Sequence, residues 1–315
     1  MSRWYLGIDT SNYRTSAALF DAETGAWQNE GRLLDVPDGS LGLRQSDALF
    51  QHTVHLHEMI ARLPSGIGRE VRAVCVSTRP RAVDGSYMPC FLAGENVARS
   101  AAHLYGVPLY ACSHQQGHLA AAALSAQTLD WLFGGELYAW HLSGGTTELL
   151  HVSPGTDGLP QADCIGGTTD LAAGQLIDRA GVLLGLQFPA GEALEQLAAQ
   201  AEGVKGFQPK VTDCRFSLSG MENKIRDQAA HGVPAAEIAA FTIETIGAAI
   251  TRATAQAMSR KRLPVLCAGG VMSNRMLQRR MAETFGARFA EPRLSGDNAV
   301  GAAVLAAAQH GEKLI

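Results

Sequence analysis

Trp4-Tyr5-Leu6-Gly7-Ile8-Asp9-Thr10-Ser11-Asn12-Tyr13-Arg14-Thr15-Ser16-Ala17-Ala18-Leu19-Phe20 is an apolar run, a hydroxyl-rich polar turn and a second apolar run. That pattern reads as strand, turn, strand. The same unit returns at Leu137-Tyr138-Ala139-Trp140-His141-Leu142-Ser143-Gly144-Gly145-Thr146-Thr147-Glu148-Leu149-Leu150-His151-Val152. The match is one of pattern and not of identity. It predicts two lobes of similar topology, each opening with a hairpin. Between the hairpins, 71–77 and 107–112 read as buried strands, with Pro108 near the start of the second, where a missing N–H is tolerated. Residues 95–105 read as an amphipathic helix. After the second hairpin come helical patterns at 171–186 and 235–261, a short strand at 264–268, and helices at 274–285 and 297–310. Strands alternating with helices predict α/β layering.

A chain of 315 residues holds two domains, each with a sizeable core. Its 46% apolar and 18% charged residues are ordinary for a globular protein. The net charge of −4 gives no global footprint of a nucleic-acid binder. A nucleic-acid substrate therefore needs a local basic patch or a partner subunit. The first residues lack a basic head followed by an apolar run, and no stretch of about 18 apolar residues occurs. Cys75, Cys90, Cys112, Cys164, Cys214 and Cys267 form no C-x-x-C pair, and Cys75, Cys112 and Cys267 fall in apolar strand-like runs. The expectation is a cytoplasmic protein with reduced thiols and no membrane association.

Three turns are candidates for holding phosphate: Asp9-Thr10-Ser11-Asn12, Ser143-Gly144-Gly145-Thr146-Thr147, and Gly269-Gly270-Val271-Met272-Ser273-Asn274. Glycine lets backbone amides approach an anion, and a helix N-terminus adds its dipole. Such turns are as often mere turns, and neither a Walker A sequence nor G-x-G-x-x-G is present. The sharper signal is Ser113-His114-Gln115-Gln116-Gly117-His118 before an Ala-rich run. Histidines at i and i+4 share one helix face and chelate a metal, the alternative being two surface histidines. Metallopeptidases with this spacing need a glutamate base after the first histidine. Gln115 stands there and takes no proton. His55-Leu56-His57-Glu58 reads as an exposed helix face. Arg260-Lys261-Arg262 and Arg279-Arg280 read as solvated helix ends, with grip on nucleic-acid phosphates the minor alternative. Trp131 and Trp140 read as packing in or near the core of the second lobe.

Taken together, these residues resemble the TsaD ("glycoprotease") family of tRNA N6-adenosine threonylcarbamoyltransferases. The resemblance runs through Gly7-Ile8-Asp9-Thr10-Ser11, Ala98-Arg99-Ser100, His114-x-x-Gly117-His118 and His141-Leu142-Ser143-Gly144-Gly145. It continues at Ala172-Ala173-Gly174-x-x-x-Asp178, Phe188-Pro189-x-Gly191, Phe216-Ser217-x-Ser219-Gly220, Gly269-Gly270-Val271-x-x-Asn274 and Asp297-Asn298-Ala299, in order and with matching spacing. It implies the two-lobed actin-like ATPase and sugar-kinase (ASKHA) fold with duplicated mixed-sheet lobes. We expect residues 1–113 plus 297–315 in the N-terminal lobe and 114–296 in the C-terminal lobe.

The resemblance also implies His114, His118 and Asp297 as ligands of one divalent metal, Fe²⁺ or Zn²⁺. A tyrosine ligand stands at the place of His141 in archaeal relatives, which makes His141 a candidate fourth. It implies a pocket for threonylcarbamoyl-AMP, or an ATP/ADP-like nucleotide, built from His141, Leu142, Ser143, Gly144, Gly145, Asp178, Gly191 and Asn274. The turn residues Gly269, Gly270, Thr10 and Ser11 join that set as candidates. No residue is assigned as a catalytic acid or base. The implied reaction moves an L-threonylcarbamoyl group to N6 of adenosine 37 in tRNAs reading codons that begin with A. The implied partners are tRNA, a YrdC-type adenylate-forming enzyme, and accessory subunits or a second copy.

The chain departs from the family at Asn12-Tyr13-Arg14-Thr15, where Cys-Asp-Glu-Thr is usual, at Gln116 for glutamate, and at Gly166-Gly167-Thr168-Thr169-Asp170-Leu171, which is short of acids. These changes keep two alternatives in view: acyl or carbamoyl transfer to a non-tRNA acceptor, and a non-catalytic scaffold pairing with an authentic member.

Overall fold

The computed structural model describes residues 3–11, 13–36, 43–66, 68 and 70–314. Asn12, one of the departures above, lies outside the described residues. The chain divides into two compact units: 1–135 with 153–162 and 293–315, and 136–152 with 163–292.

The first unit begins with β1 (Trp4–Ser11), β2 (Arg14–Asp21), β3 (Trp27–Leu33), α1 (Gln45–Arg62) and β4 (Val71–Arg79). It continues with α2 (Phe91–Tyr105), β5 (Leu109–Ser113), α3 (His114–Ser125) and α4 (Leu129–Gly134). The sheet order is β3-β2-β1-β4-β5, with β1, β2 and β3 antiparallel and β4 and β5 parallel to β1. Side chains alternate along β1, as a strand requires. Leu6 and Ile8 join Leu56 and Met59 of α1 and Ala98 and Ala102 of α2 in one apolar cluster. Tyr5, Gly7 and Asp9 point to the other face, so Asp9 is carried to the carboxyl end of the strand on the side opposite α1 and α2.

The second unit holds β6 (Leu137–Leu142), β7 (Thr147–Pro154), β8 (Pro160–Thr168), α5 (Ala173–Leu183), α6 (Gly191–Ala198) and β9 (Arg215–Phe216). The tip of the β7–β8 connection, 153–162, clusters with the first unit. Then follow α7 (Ser219–Ala230), α8 (Ala235–Arg260), β10 (Val265–Ala268), a 3-10 turn at Gly270–Ser273, α9 (Arg275–Phe285) and β11 (Arg288–Phe289). Its sheet order is β11-β10-β6-β7-β8-β9. With β6 in the place of β1, the hairpin partner lies on one side and two parallel strands on the other. That is the expected repeat. Trp140 is fully buried there among Leu142, Phe216, Ile246 and Ile250, and its Nε1 donates to Thr254 Oγ1 at 2.8 Å.

A short α10 (Pro292–Ser295) leads to α11 (Val300–Gln309), which returns to the first unit. It packs on β1, where a Cβ on Gly7 would lie 2.2 Å from Ala299 O. The expected boundary at 113/114 differs, because α3 and α4 cluster with the first unit. Trp131, half-buried on α4, accordingly belongs to that unit. The last helix starts at Val300 and not at Asp297; Asn298 Oδ1, from the turn before it, accepts the Val300 amide at 3.0 Å. Cys75, Cys112 and Cys267 are buried free thiols. Among the described residues, no helix is long and apolar enough to cross a membrane.

The expected exposed face at His55–Glu58 is only partly so. His57 is exposed, but His55 is buried. One turn earlier, His52 is fully buried and its Nδ1 lies 2.8 Å from Thr15 Oγ1. Its Nε2 has no hydrogen-bond partner. Burial lowers the His52 pKa to about 4, with Asp9 opposing weakly. A folded pKa below the unfolded value of roughly 6.5 means that stability is lost as pH falls between those values, by roughly 3 kcal/mol in all. Urea midpoints at pH 7 and pH 4.5 measure this, and His52→Gln is expected to flatten the difference. A wild-type pH slope retained in that variant assigns it to other groups.

Candidate metal and nucleotide sites

The parallel strands β1, β4 and β5 end together, and α3 starts directly from β5. Ser113 caps α3: its hydroxyl accepts the Gln116 amide at 3.2 Å while Gln116 Oε1 accepts the Ser113 amide at 2.7 Å. Gln116 also donates from Nε2 to Pro160 O at 2.9 Å. A carboxylate at this place has no proton for that second bond. His114 is thus the first helical residue, and His118 stands one turn on. Their Nε2 atoms are 2.9 Å apart.

Asp297 reaches the same point from the segment before α11. Its Oδ1 lies 3.2 Å from His118 Nε2 and 3.4 Å from His114 Nε2. Two ligands each ~2.1 Å from one ion, at right or tetrahedral angles, lie ~3.0–3.4 Å apart. The three atoms therefore have the separations that a shared divalent cation requires, and their donor set, two imidazoles and one carboxylate, suits Zn²⁺ or Fe²⁺. Among the described residues this is the one cluster of three or more His, Cys, Asp or Glu able to hold an ion.

The approach of α11 to α3 depends on the glycine at 301, whereas a Cβ on Gly117 would meet only Ala302 N, at 3.9 Å. A Cβ on Gly301 would lie 1.7 Å from Gly117 O, so only glycine lets the helices meet this closely.

Sequence reading missed the role of Asp9. Its carboxylate is buried and lies 3.1 Å from His114 Nδ1 through Oδ2. Ser11 Oγ donates to it at 2.7 Å, and Ser77 Oγ makes a short hydrogen bond to Oδ1. Burial resists a charge on Asp9, but His114 and the two hydroxyls outweigh it and hold its pKa low. Burial likewise opposes a charge on His114, yet Asp9 and Asp297 raise its pKa to about 10. The pocket attracts positive charge. Asp9 fixes the ring so that Nδ1–H faces the carboxylate and Nε2 faces the other ligands, an arrangement common around metal-bound histidine. Asp9→Asn is expected to weaken divalent-metal affinity ~10- to 100-fold. Chelator competition measures it, and unchanged affinity in a folded variant removes Asp9 from the site.

In the second unit, a cavity of about 1100 Å³ is lined by Gly144, Asp178, Gly191, Glu195, Gly270 and Asn274, among others. Five of these were expected; Glu195 was not. It lies one turn after Gly191 on α6, and that i,i+4 spacing was the signal available. Its Oε1 accepts the Arg275 amide at 2.8 Å. Asp178 Oδ1 accepts the Ala190 amide at 2.9 Å, which fixes the carboxylate at the wall. Asn274 Oδ1 caps α9, accepting from Met276 and Leu277 at 3.0 and 3.1 Å. What it retains for a ligand is its amide N–H₂.

The Ser143–Thr146 turn closes on itself, the Ser143 amide donating to Thr146 O at 2.9 Å. The exposed Gly144 and Gly145 amides stay outside that bond. The start of α5 meets this turn where a Cβ on Gly174 would lie 2.5 Å from Ser143 O. Leu142 is a core residue, and Gly269 (φ 95°) serves the close approach of β10's end to Leu142 O. His141 is the last residue but one of β6 in this unit and is half-buried. Thr10 and Ser11 belong to the first unit and are buried. Thr10 Oγ1 donates to Cys90 O at 3.1 Å, and Ser11 serves Asp9. Tyr13 is exposed, and Arg14 packs over Gly31 of β3.

Of the expected basic helix ends, Arg260 and Lys261 are exposed and pair with Asp213 and Glu136 at 2.8 and 2.6 Å, and Arg280 pairs closely with Glu244.

Comparison with known proteins gives one family and one fold. The family model described as "TsaD: tRNA N6-adenosine threonylcarbamoyltransferase" matches residues 45–304. Xylulose kinase from Rhodospirillum rubrum is similar at 14% identity and TM-score 0.59, over 99% of this chain and 91% of that one. T. kodakarensis HypF is similar at 15% identity and TM-score 0.58, over 98% of this chain and 48% of HypF. Component A of (R)-2-hydroxyglutaryl-CoA dehydratase from Acidaminococcus fermentans is similar at 14% identity and TM-score 0.52, over 98% of both chains. At these identities the structures carry the fold alone, the actin-like ATPase and sugar-kinase fold.

Proposed function

The chain belongs to the TsaD family of tRNA N6-adenosine threonylcarbamoyltransferases, and from that premise we propose that it transfers an L-threonylcarbamoyl group from threonylcarbamoyl-AMP to N6 of adenosine 37 in tRNA. The observation that carries the reading is the gathering of His114, His118 and Asp297 into one cation-binding cluster. A bound divalent ion supplies Lewis acidity for the carbamoyl carbonyl. Asp9 keeps His114 in the ligating tautomer. The Gly144 and Gly145 amides beside the start of α5 hold the phosphate. Asp178 and Glu195 accept hydrogen bonds from hydroxyls of the adenylate, and Asn274 donates to ring nitrogens of its base. Held in this way, the acyl donor loses the orientational freedom that would slow attack by the adenosine amine.

The adenylate comes from a separate YrdC-type enzyme, and the setting is the cytoplasm. The test is complementation of a strain depleted of its own family member, reading the modified nucleoside by mass spectrometry. Restoration by the wild type and not by Asp297→Ala is expected. No restoration by the wild type moves the assignment to acyl transfer onto a different acceptor.

A further inference from the structure

A second cavity in the same unit, of about 790 Å³, has no part in the chemistry above. Its walls include Leu176, Arg179, Phe188, Glu222, Ile225 and Arg226, drawn from α5, α7 and the segment before α6. It shares Gly144 and Asp178 with the nucleotide cavity, so the two spaces adjoin at the proposed phosphate-binding turn. Leu176 and Ile225 give it a buried apolar floor, whereas Phe188 is 74% exposed.

Above the floor, Glu222 is held between two guanidiniums: Arg179 Nη1 at 2.6 Å and Arg226 Nη2 at 2.7 Å. The arginine side chains remain 53% and 66% exposed, and Glu222 only 19%. Each guanidinium has five N–H donors, so donors remain on both after the bond to Glu222. Glu222 pre-orients them. An exposed aromatic face beside two oriented guanidiniums matches how proteins hold an unpaired base and its phosphate.

We infer that this cavity binds a nucleotide of a single-stranded RNA loop, its base stacked on Phe188 and its phosphate on Arg179 and Arg226. The inference rests on the tRNA reading above and deepens it, because it names where the acceptor strand flanking the reactive adenosine is gripped. A single exposed ring beside phosphate donors, continuous with a nucleotide cavity, favours RNA over a protein segment. It also answers the problem set by the net charge of −4, since recognition rests on oriented donors and stacking in place of a broad positive field.

The test uses the full chain and a short RNA hairpin with an adenosine-containing loop, followed by fluorescence anisotropy across a salt series. The same RNA annealed to its complement is the control. Phe188→Ala is expected to weaken hairpin binding ~5- to 150-fold. Arg226→Ala is expected to reduce the slope of log K against log[salt] by ~0.7, the signature of one lost phosphate contact on a single strand. Both variants keep wild-type ADP affinity, which shows that the neighbouring cavity is intact. Wild-type RNA binding that neither variant alters overturns the inference and leaves the tRNA reading standing. A wild type that binds the annealed duplex as well as the hairpin also overturns the inference. A wild type that binds and modifies no RNA overturns both.

Discussion

Asp297→Ala and His118→Ala are each expected to abolish tight divalent-metal binding and the thermal stabilisation that the metal confers, while His57→Ala is expected to leave both unchanged. The expectation follows from chain connectivity. His114 and His118 are one turn apart and form a cluster by themselves, but Asp297 comes from a segment nearly two hundred residues on (|i−j| 179 from His118). A cation bound to all three ties α3 to the start of α11, so binding is linked to folding of the first unit. At a free metal concentration of a hundred times Kd, that linkage amounts to ~2.7 kcal/mol. The ligand variants lose all of it, visible as a melting curve that no longer responds to Zn²⁺ or Fe²⁺. His57 projects into solvent from α1 and serves as the matched histidine deletion. A metal-dependent shift that survives Asp297→Ala places the cation elsewhere.

Gly301→Ala is expected to be the most damaging single-methyl substitution tested. Its Cβ would meet the carbonyl oxygen of Gly117 at 1.7 Å, and a backbone carbonyl within a helix cannot swing aside as a flexible side chain can. The helices must part or distort, at a cost of ~3 kcal/mol or more. The same displacement carries Asp297 away from the histidines, so metal affinity falls along with stability. Gly220→Ala is the comparison. It lies on α7, where a Cβ meets nothing within 4 Å, and it is expected to leave stability unchanged or slightly higher. Chemical denaturation of both, with and without metal, separates the close helix approach from a general dislike of added methyl groups.

The hairpins were legible because strand periodicity and turn chemistry are local, and their repetition pointed to the duplicated sheets. The His114/His118 pair was legible for the same reason. Asp297 was reached only through family resemblance, since nothing local marks a carboxylate whose partners arrive by tertiary folding. Asp9 shows the limit more sharply. It was visible as part of a turn, yet its role depends on which face of β1 it occupies and on the register that brings Ser77 beside it. Thr10 and Ser11 looked like phosphate-binding hydroxyls, but alternation turns Thr10 under α2, and Ser11 is engaged by Asp9. His55 was read as exposed because a single histidine says little about which side of an amphipathic helix it takes. The start of α11 was misplaced because a turn held by Asn298 precedes it, and the domain boundary because α3 and α4 cluster with the first unit.

The most direct measurement is the nucleoside content of tRNA incubated with the purified chain, threonylcarbamoyl-AMP and a divalent cation. N6-threonylcarbamoyladenosine is expected in the wild-type reaction, and none above background with Asp297→Ala. Consumption of the adenylate without modified adenosine, or equal modification by both proteins, would contradict the proposed transfer.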